Sequence, residues 1–367
     1  MIKDTVFSPS FGNRPQQLIG REMVMEQFLS GLDGPPGTRE RATLILGERG
    51  SGKTVLLLEM AEQARQRGYI VASPTIVSGN MLERIVEKIQ DEGESMLHDN
   101  RQKLSGASIG VLGFSAGLQF TKDVQETKSF AYKLSKLADA LGRKKKGILI
   151  LIDEVQANNT GLKELIIAYQ ELIGEGRNIA IAFAGLPGAI SATLNEHVLT
   201  FLNRANRIRL EPLRISDIDA YYRNAFRSLN LQISEEQRGT AAKATEGSPY
   251  LMQLIGHNIA LYADDKGIID DPALQQALDK AKDRYENDIC GATVNALSDK
   301  DLEFLKAMAD LPEQAKIADI RKILQVTADY AQSYKRRLID AGVITQVRRG
   351  EVRFAIPMLA EYLKKEK

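Results

Sequence analysis

A single cysteine, no tryptophan, three histidines and only 6% aromatic residues in 367 set the first limits on this chain. One cysteine, Cys290, cannot close an internal disulfide, so stability must come from packing, and the thiol reads as a small buried hydrophobe in a reducing compartment. No apolar run approaches the roughly 18 residues of a membrane span, and "MIKDTVFSPSFGNRPQQ" lacks the apolar core of a secretion signal. The expectation is a soluble, cytoplasmic protein with no membrane partner. Charge of one sign is also missing: 49 Lys and Arg against 48 Asp and Glu leave +1, so any basic surface must be local. No internal repeat and no low-complexity stretch occurs. With 43% hydrophobic residues, a chain of this length exceeds what one core encloses.

What is present is ordered along the chain. Residues 1–36 read as a lead-in, with a helix from Arg21 to Leu32 and the turn cluster "DGPPGT". Residues 37–213 alternate short apolar strands with helices: strands Thr43–Leu46, Tyr69–Ser73, Gly147–Ile152, Ile179–Ala184 and Arg207–Leu210. Helices are expected at Gly52–Arg67, Met81–Glu94, Ser129–Leu141 and Leu162–Ile173. Short all-apolar strands separated by helices predict a parallel sheet covered on both faces. "SGASIGVLGFSAGLQFTKD", Ser105–Asp123, has the small/apolar alternation of a hairpin inserted at the sheet edge. Residues 214–296 contain helical patterns only, the last of them Pro272–Asn295, and residues 297–367 form a final unit.

The chemistry concentrates at Gly47-Glu48-Arg49-Gly50-Ser51-Gly52-Lys53-Thr54, which satisfies G-x-x-x-x-G-K-[ST] between a strand and a helix. Glycines let the loop wrap phosphate oxygens with its amides, at the positive end of the following helix, which Val55 continues. Lys53 is placed to reach the β and γ phosphates of ATP and Thr54 to ligate Mg²⁺. "GILILIDEVQ" supplies the acidic partner. Asp153 ends an apolar strand and is a second candidate metal ligand, and Glu154 is the candidate base for the attacking water. The strand that ends "AGLPG" gives neither Ala184 nor Gly185 a polar side chain to orient that water, so slow or partner-dependent hydrolysis is expected. Arg204 and Arg207, before the last strand, are candidates for an arginine finger acting on a neighbouring copy; a solvated basic face is the competing reading.

In the last unit, Leu302, Leu305 and Met308 space one helix, Ile317–Leu324 form a second, and Thr327 caps a third that Gly342 stops. "VITQVRRGEVRFAIP" then reads as a hairpin around Arg349-Gly350. Three helices and a hairpin resemble a winged helix-turn-helix, whose third helix enters the major groove of double-stranded DNA. Residues 298–367 carry 14 Lys or Arg against 11 Asp or Glu. Lys335, Arg336 and Arg337 on the third helix, and Arg348, Arg349 and Arg353 on the hairpin, are candidate phosphate contacts; Gln332 and Ser333 are candidate base contacts. The competing reading packs this unit on the ATPase or on a partner protein.

Phosphate loop, Asp-Glu strand, arginine before the last strand, helical lid and terminal helix-turn-helix, in this order, resemble the AAA+ ATPases. The resemblance is closest to the clade of archaeal and eukaryotic origin-recognition initiators and their bacterial or phage relatives. It implies an α/β P-loop parallel-sheet core followed by an all-helical lid and a winged-helix domain, with ATP binding and homo-oligomer formation. "PQQLIGRE" resembles the clade's lead-in box, which implies that Ile19 and Gly20 border the adenine. "ATEGSPYLMQLIG" resembles the start of the lid helix that carries the second sensor, where Tyr250 stands in place of the arginine common in relatives. Two other users of the same engine fit the residues: a STAND-like signalling or defence regulator, in which the winged helix is an internal clamp, and a helper ATPase of a transposase or phage machine.

Overall fold

A computed structural model describes residues 4–9, 17–76, 79–99, 129–156, 159–194 and 197–366. The hairpin expected at Ser105–Asp123 lies outside them. After α1 (Glu22–Asp33) the core runs β1 (Ala42–Leu46), α2 (Lys53–Gln66), β2 (Tyr69–Ile76), α3 (Met81–Asp99), α4 (Phe130–Gly142), β3 (Gly147–Asp153), α5 (Thr160–Gly174), β4 (Ile179–Gly185), α6 (Pro187–Leu194) and β5 (Asn206–Arg209). The five strands are parallel in the order β2-β3-β4-β1-β5. Alternation along each strand splits the apolar side chains between two cores. Leu44, Ile150, Ile181 and Phe183 face α3, α4 and α5. Ile45, Leu149, Leu151 and the small Ala180, Ala182 and Ala184 face α1 and α2. One consequence positions the site: β4 lies between β1, which feeds the phosphate loop, and β3, which ends in Asp153.

Helices alone follow: α7 (Ile215–Ser228), α8 (Glu235–Ala244), α9 (Pro249–Tyr262) and α10 (Asp271–Tyr285). Each of the last three starts where a Ser or Asp side chain accepts an amide three residues on: Ser234 from Gln237, Ser248 from Leu251 and Asp270 from Ala273. The helix expected to run unbroken from Pro272 to Asn295 is instead interrupted. Residues Glu286–Gly291 form a π-helical segment, a wide turn of the kind that re-aims side chains at functional positions.

The final unit contains α11 (Asp299–Ala309), β6 (Ala315–Lys316), α12 (Ile317–Leu324), α13 (Ala328–Asp340), β7 (Ile344–Arg348), β8 (Glu351–Phe354) and α14 (Leu359–Lys365). The three helices and the hairpin stand where the residue pattern placed them. Strand β6, which completes an antiparallel sheet in the order β6-β8-β7, and the closing helix α14 were not expected. This unit and the helices before it share one continuous hydrophobic cluster.

The lead-in is likewise less separate than its composition suggests. Val6 and Phe7 are buried in that same cluster, with the Phe7 ring edge-on to Tyr221 and Tyr222. Gly256 makes room for it: a Cβ there would stand 2.1 Å from the ring. Ser8 donates its amide to Gln253, and Asp4 pairs with His257 at 2.6 Å.

Candidate nucleotide site

The loop after β1 has the backbone that its glycines allow. Gly50 and Gly52 sit at φ +75° and +89°, a region that disfavours any Cβ, and a Cβ at Gly47 would lie 2.4 Å from the Ser51 hydroxyl. Gly52 precedes the first turn of α2, so free amides and the positive helix end face the same space. Lys53 folds back to donate to the carbonyls of Gly47 and Glu48 at 2.8 and 2.7 Å. Burial lowers its ammonium from the usual lysine range, against the pull of Asp153, Glu48 and Glu154. A cation held by neutral carbonyls and partly desolvated is set to gain from an incoming anion. Ser51 Oγ is buried with no partner among the described residues, a polar atom that a phosphate oxygen can satisfy.

Across the loop, Thr54 Oγ1 donates to Asp153 Oδ2 at 2.6 Å. One hydroxyl and one carboxylate form the sparse donor set that suits Mg²⁺ when phosphates and waters complete its shell. The residues therefore fit Mg·ATP. Glu154 follows at φ +53°, a conformation that costs a non-glycine residue about 1–3 kcal/mol and is retained where the surroundings impose it. Its side chain is exposed, on the wall of the cavity that Asp153 also lines.

That cavity, about 720 Å³, is of the size that holds a drug-sized or nucleotide ligand. Of the residues expected to bind nucleotide, Ile19, Arg49, Gly50, Ser51, Gly52, Lys53, Thr54, Val55 and Tyr250 line it, whereas Gly20, Gly47 and Glu48 do not. Glu48 turns to the other side of the loop, where burial raises its carboxyl above the ordinary range. Gly20, at φ +63°, packs against Leu213. The lid closes the opposite wall. Tyr250 donates its hydroxyl to Asp288 at 2.6 Å, and burial with that bond pushes the phenol up to about 12, so it stays protonated. Asp288 and Ile289 reach the cavity from the π-helical segment.

Residues that the motifs did not single out also enter: Ser8 and Pro9 from the lead-in, Arg21, Gln156 and Gln253. Arg21 adjoins the "IG" of the lead-in box and donates to the Glu211 carbonyl at 2.7 Å; its place beside that box was its one sequence signal. Ser8 and Gln253 carry none, because their meeting depends on the fold.

Arg204 and Arg207 lie outside this cavity, exposed beside or on β5, the sheet edge; Arg207 donates to Asn203. In the final unit, Gln332, Ser333, Arg336 and Arg349 are exposed. Others of the candidate contacts are engaged internally. Arg337 binds the nearly buried Asp301 carboxylate and the Ser298 hydroxyl, with its guanidinium over the Tyr334 ring. Lys335 donates to Gln346, and Arg348 pairs with Glu351. Val352 fills the core, so the next side chain of β8, the half-buried Arg353, faces the other side of the hairpin. It lines a second cavity, of about 690 Å³, together with Glu48, Arg49, Gly50 and Ser51. The phosphate loop is thus the partition between the two cavities.

Residues 17–172 match the family described as the AAA ATPase domain. Residues 287–363 match a second family, a domain of unknown function, DUF8462. Among solved structures, the Walker-type ATPase of Pyrococcus abyssi superimposes with a TM-score of 0.73 at 17% identity, covering 96% of this chain and 97% of that one. The ORC2 protein of Aeropyrum pernix, solved with ADPNP and ADP, gives 0.65 at 14% identity over 97% and 96%. These likenesses extend the P-loop fold with its helical additions over nearly the full length. No curated protein matches the chain.

Proposed function

We propose that this chain is an ATP-dependent switch that binds Mg·ATP between core and lid, hydrolyses it slowly, and passes nucleotide state to a C-terminal winged helix that contacts duplex DNA. The observation that carries this reading is that residues 48–51 separate the nucleotide cavity from a second one walled by the final unit. A loop that tightens around a triphosphate is in contact with both spaces, so the two fillings are physically linked. The likeness to a protein solved with ADPNP and ADP supports the nucleotide assignment.

In this reading the amides of residues 47–52 cradle the phosphates and Lys53 neutralises them. Thr54 and Asp153 hold Mg²⁺, which would polarise the γ phosphate, and Glu154 takes a proton from the attacking water. Arg204 or Arg207 completes the site of a neighbouring copy in a homo-oligomer. We assign residues 1–36 to a lead-in that clips the lid, 37–213 to the core, 214–296 to the lid and 297–367 to the winged helix. Gln332, Ser333, Arg336 and Arg349, exposed and bonded to no side chain among the described residues, are the groups offered to DNA.

One observation favours the clamp reading as a second possibility. The end of α13 is seated on α6 so closely that a Cβ at Gly188 would stand 2.3 Å from the Asp340 carbonyl oxygen. An anisotropy titration with duplex DNA, with and without ATP, at two salt concentrations separates them. A DNA switch binds in an ATP-dependent way and loses affinity steeply with salt; salt-insensitive or absent binding favours the clamp.

A further inference from the structure

Hydrolysis needs a group that holds the attacking water in line with the γ phosphorus. The natural place is the end of β4, which lies between the phosphate loop strand and the Asp153 strand. That place offers no polar side chain: Ala184 presents only a fully buried methyl and Gly185 has none. It is also filled. The turn after β3 folds over it, with the Val155 amide donating to the Ala184 carbonyl at 2.9 Å. A Cβ at Gly185 would already stand 3.3 Å from the Val155 Cβ and 3.4 Å from Ile190, so a longer polar side chain could be added there only by displacing this turn.

The same turn brings Gln156 into the cavity wall beside Asp153 and Glu154. Its side chain is exposed and hydrogen-bonded to none of the described residues. Gln253, on the lid wall, is committed through its carbonyl to the Ser8 amide, and Gln17 enters with Leu18 and Ile19 from the lead-in rather than from the strand end that carries the acids. We infer that Gln156 is the water-positioning residue of this site, taking over from the strand end that Val155 covers.

The inference rests on the reading of the cavity as an ATP site. In the step it describes, the water oxygen bonds to the γ phosphorus as the bond from phosphorus to the β–γ bridging oxygen breaks, which releases ADP and inorganic phosphate. One water proton passes to the Glu154 carboxylate. The Gln156 carbonyl accepts a hydrogen bond from the remaining O–H, and its amide N–H donates to a γ-phosphate oxygen, so one carboxamide supplies both an acceptor and a donor.

The test compares the full-length wild type with Gln156→Ala and the isosteric Gln156→Glu, using fluorescent ADP with Mg²⁺, with and without fluoroaluminate, alongside ADPNP and single-turnover hydrolysis. Fluoroaluminate mimics the phosphoryl group in flight, so its extra affinity over ADP reads the positioned water directly. Gln156→Ala is expected to bind ADPNP within about threefold of wild type and Gln156→Glu more weakly, because its carboxylate faces the γ phosphate, and both to lose the fluoroaluminate gain and roughly 10²-fold in turnover, the scale of one misplaced transition-state contact. Retained gain and turnover in both variants overturns the inference, as does a wild type that binds ADP but gains nothing from fluoroaluminate. Lys53→Ala separates the underlying reading: if it binds nucleotide as well as wild type, the cavity assignment fails, whatever Gln156 does.

Discussion

Gly188→Ala perturbs the contact between the final unit and the core without touching the nucleotide or the exposed face of α13. Its added Cβ would lie 2.3 Å from the Asp340 carbonyl oxygen, 2.4 Å from the Asp340 Cβ and 2.5 Å from its Cα. Two of these three atoms are backbone at a helix end, so the clash cannot be relieved by rotating a side chain. Helix α13 must retreat from α6 by about an ångström, and overpacking of this kind costs about 1–3 kcal/mol. Spread over residues 214–366, which share one hydrophobic cluster, that loss lowers the melting midpoint by about 2–12 °C. Gly239→Ala in α8 is the matched control, because a Cβ there meets nothing within 4 Å. It should stabilise by about 0.4–1 kcal/mol through the unfolded chain and the helix. The assay is paired calorimetric melting of both variants, followed by the DNA titration, in which Gly188→Ala should narrow the difference between ATP-bound and free protein. If Gly188→Ala melts at or above wild type, as the control does, the docking of α13 on α6 is not a packed contact and the route from loop to final unit is lost.

Three further outcomes follow from the same geometry. Glu154→Gln should leave ATP binding intact while turnover falls by roughly 10²-fold or more, read as trapped ATP in single-turnover assays; unchanged turnover removes Glu154 as the base. Arg336→Ala should weaken DNA binding and lower its salt slope by about one, whereas Arg337→Ala should destabilise the final unit instead, because the Asp301 carboxylate loses its cation. Asp4 is partly buried, which opposes ionisation, but the hydrogen bond with His257 and the amides of Phe7 and Val6 hold its carboxyl below its ordinary value of 3.8. Its stabilisation is thus fully present above about pH 3.8 and lost as pH falls through the lower folded value. Amide exchange of Val6 and Phe7 should rise over that window in wild type and be raised already at pH 6 in Asp4→Asn.

The parts of this molecule that could be read from sequence are those specified locally. A glycine-bounded loop, a five-residue apolar strand before Asp153, and the capping Ser298 and Thr327 each fix their own neighbourhood. What escaped depends on distant partners. Strand β6 is only two residues, legible once β8 pairs with it. Arg353 looked like a hairpin phosphate contact because its spacing places it beside Arg348 and Arg349, but the pleat puts it in the wall of the cavity that the phosphate loop also lines. Arg337 looked like surface charge until α11 brought Asp301 against it. The interruption of the helix at Glu286–Gly291 has no proline to announce it, only Gly291 at its far end, and it is what delivers Asp288 to the nucleotide cavity. Site membership was therefore legible for the loop and strand-end residues, and hidden for Ser8, Gln156 and Gln253, whose roles arise from where other elements come to rest.

The most direct test of the central claim is calorimetric titration of the full chain with Mg·ATP, in wild type and in Lys53→Ala. The account predicts one site per chain in the wild type and loss of at least about 10²-fold in affinity when the buried ammonium is removed, since a charge-assisted contact to phosphate contributes about 1.5–3 kcal/mol and the emptied cradle adds to that. Equal affinities in the two proteins, or no heat in either, would contradict it.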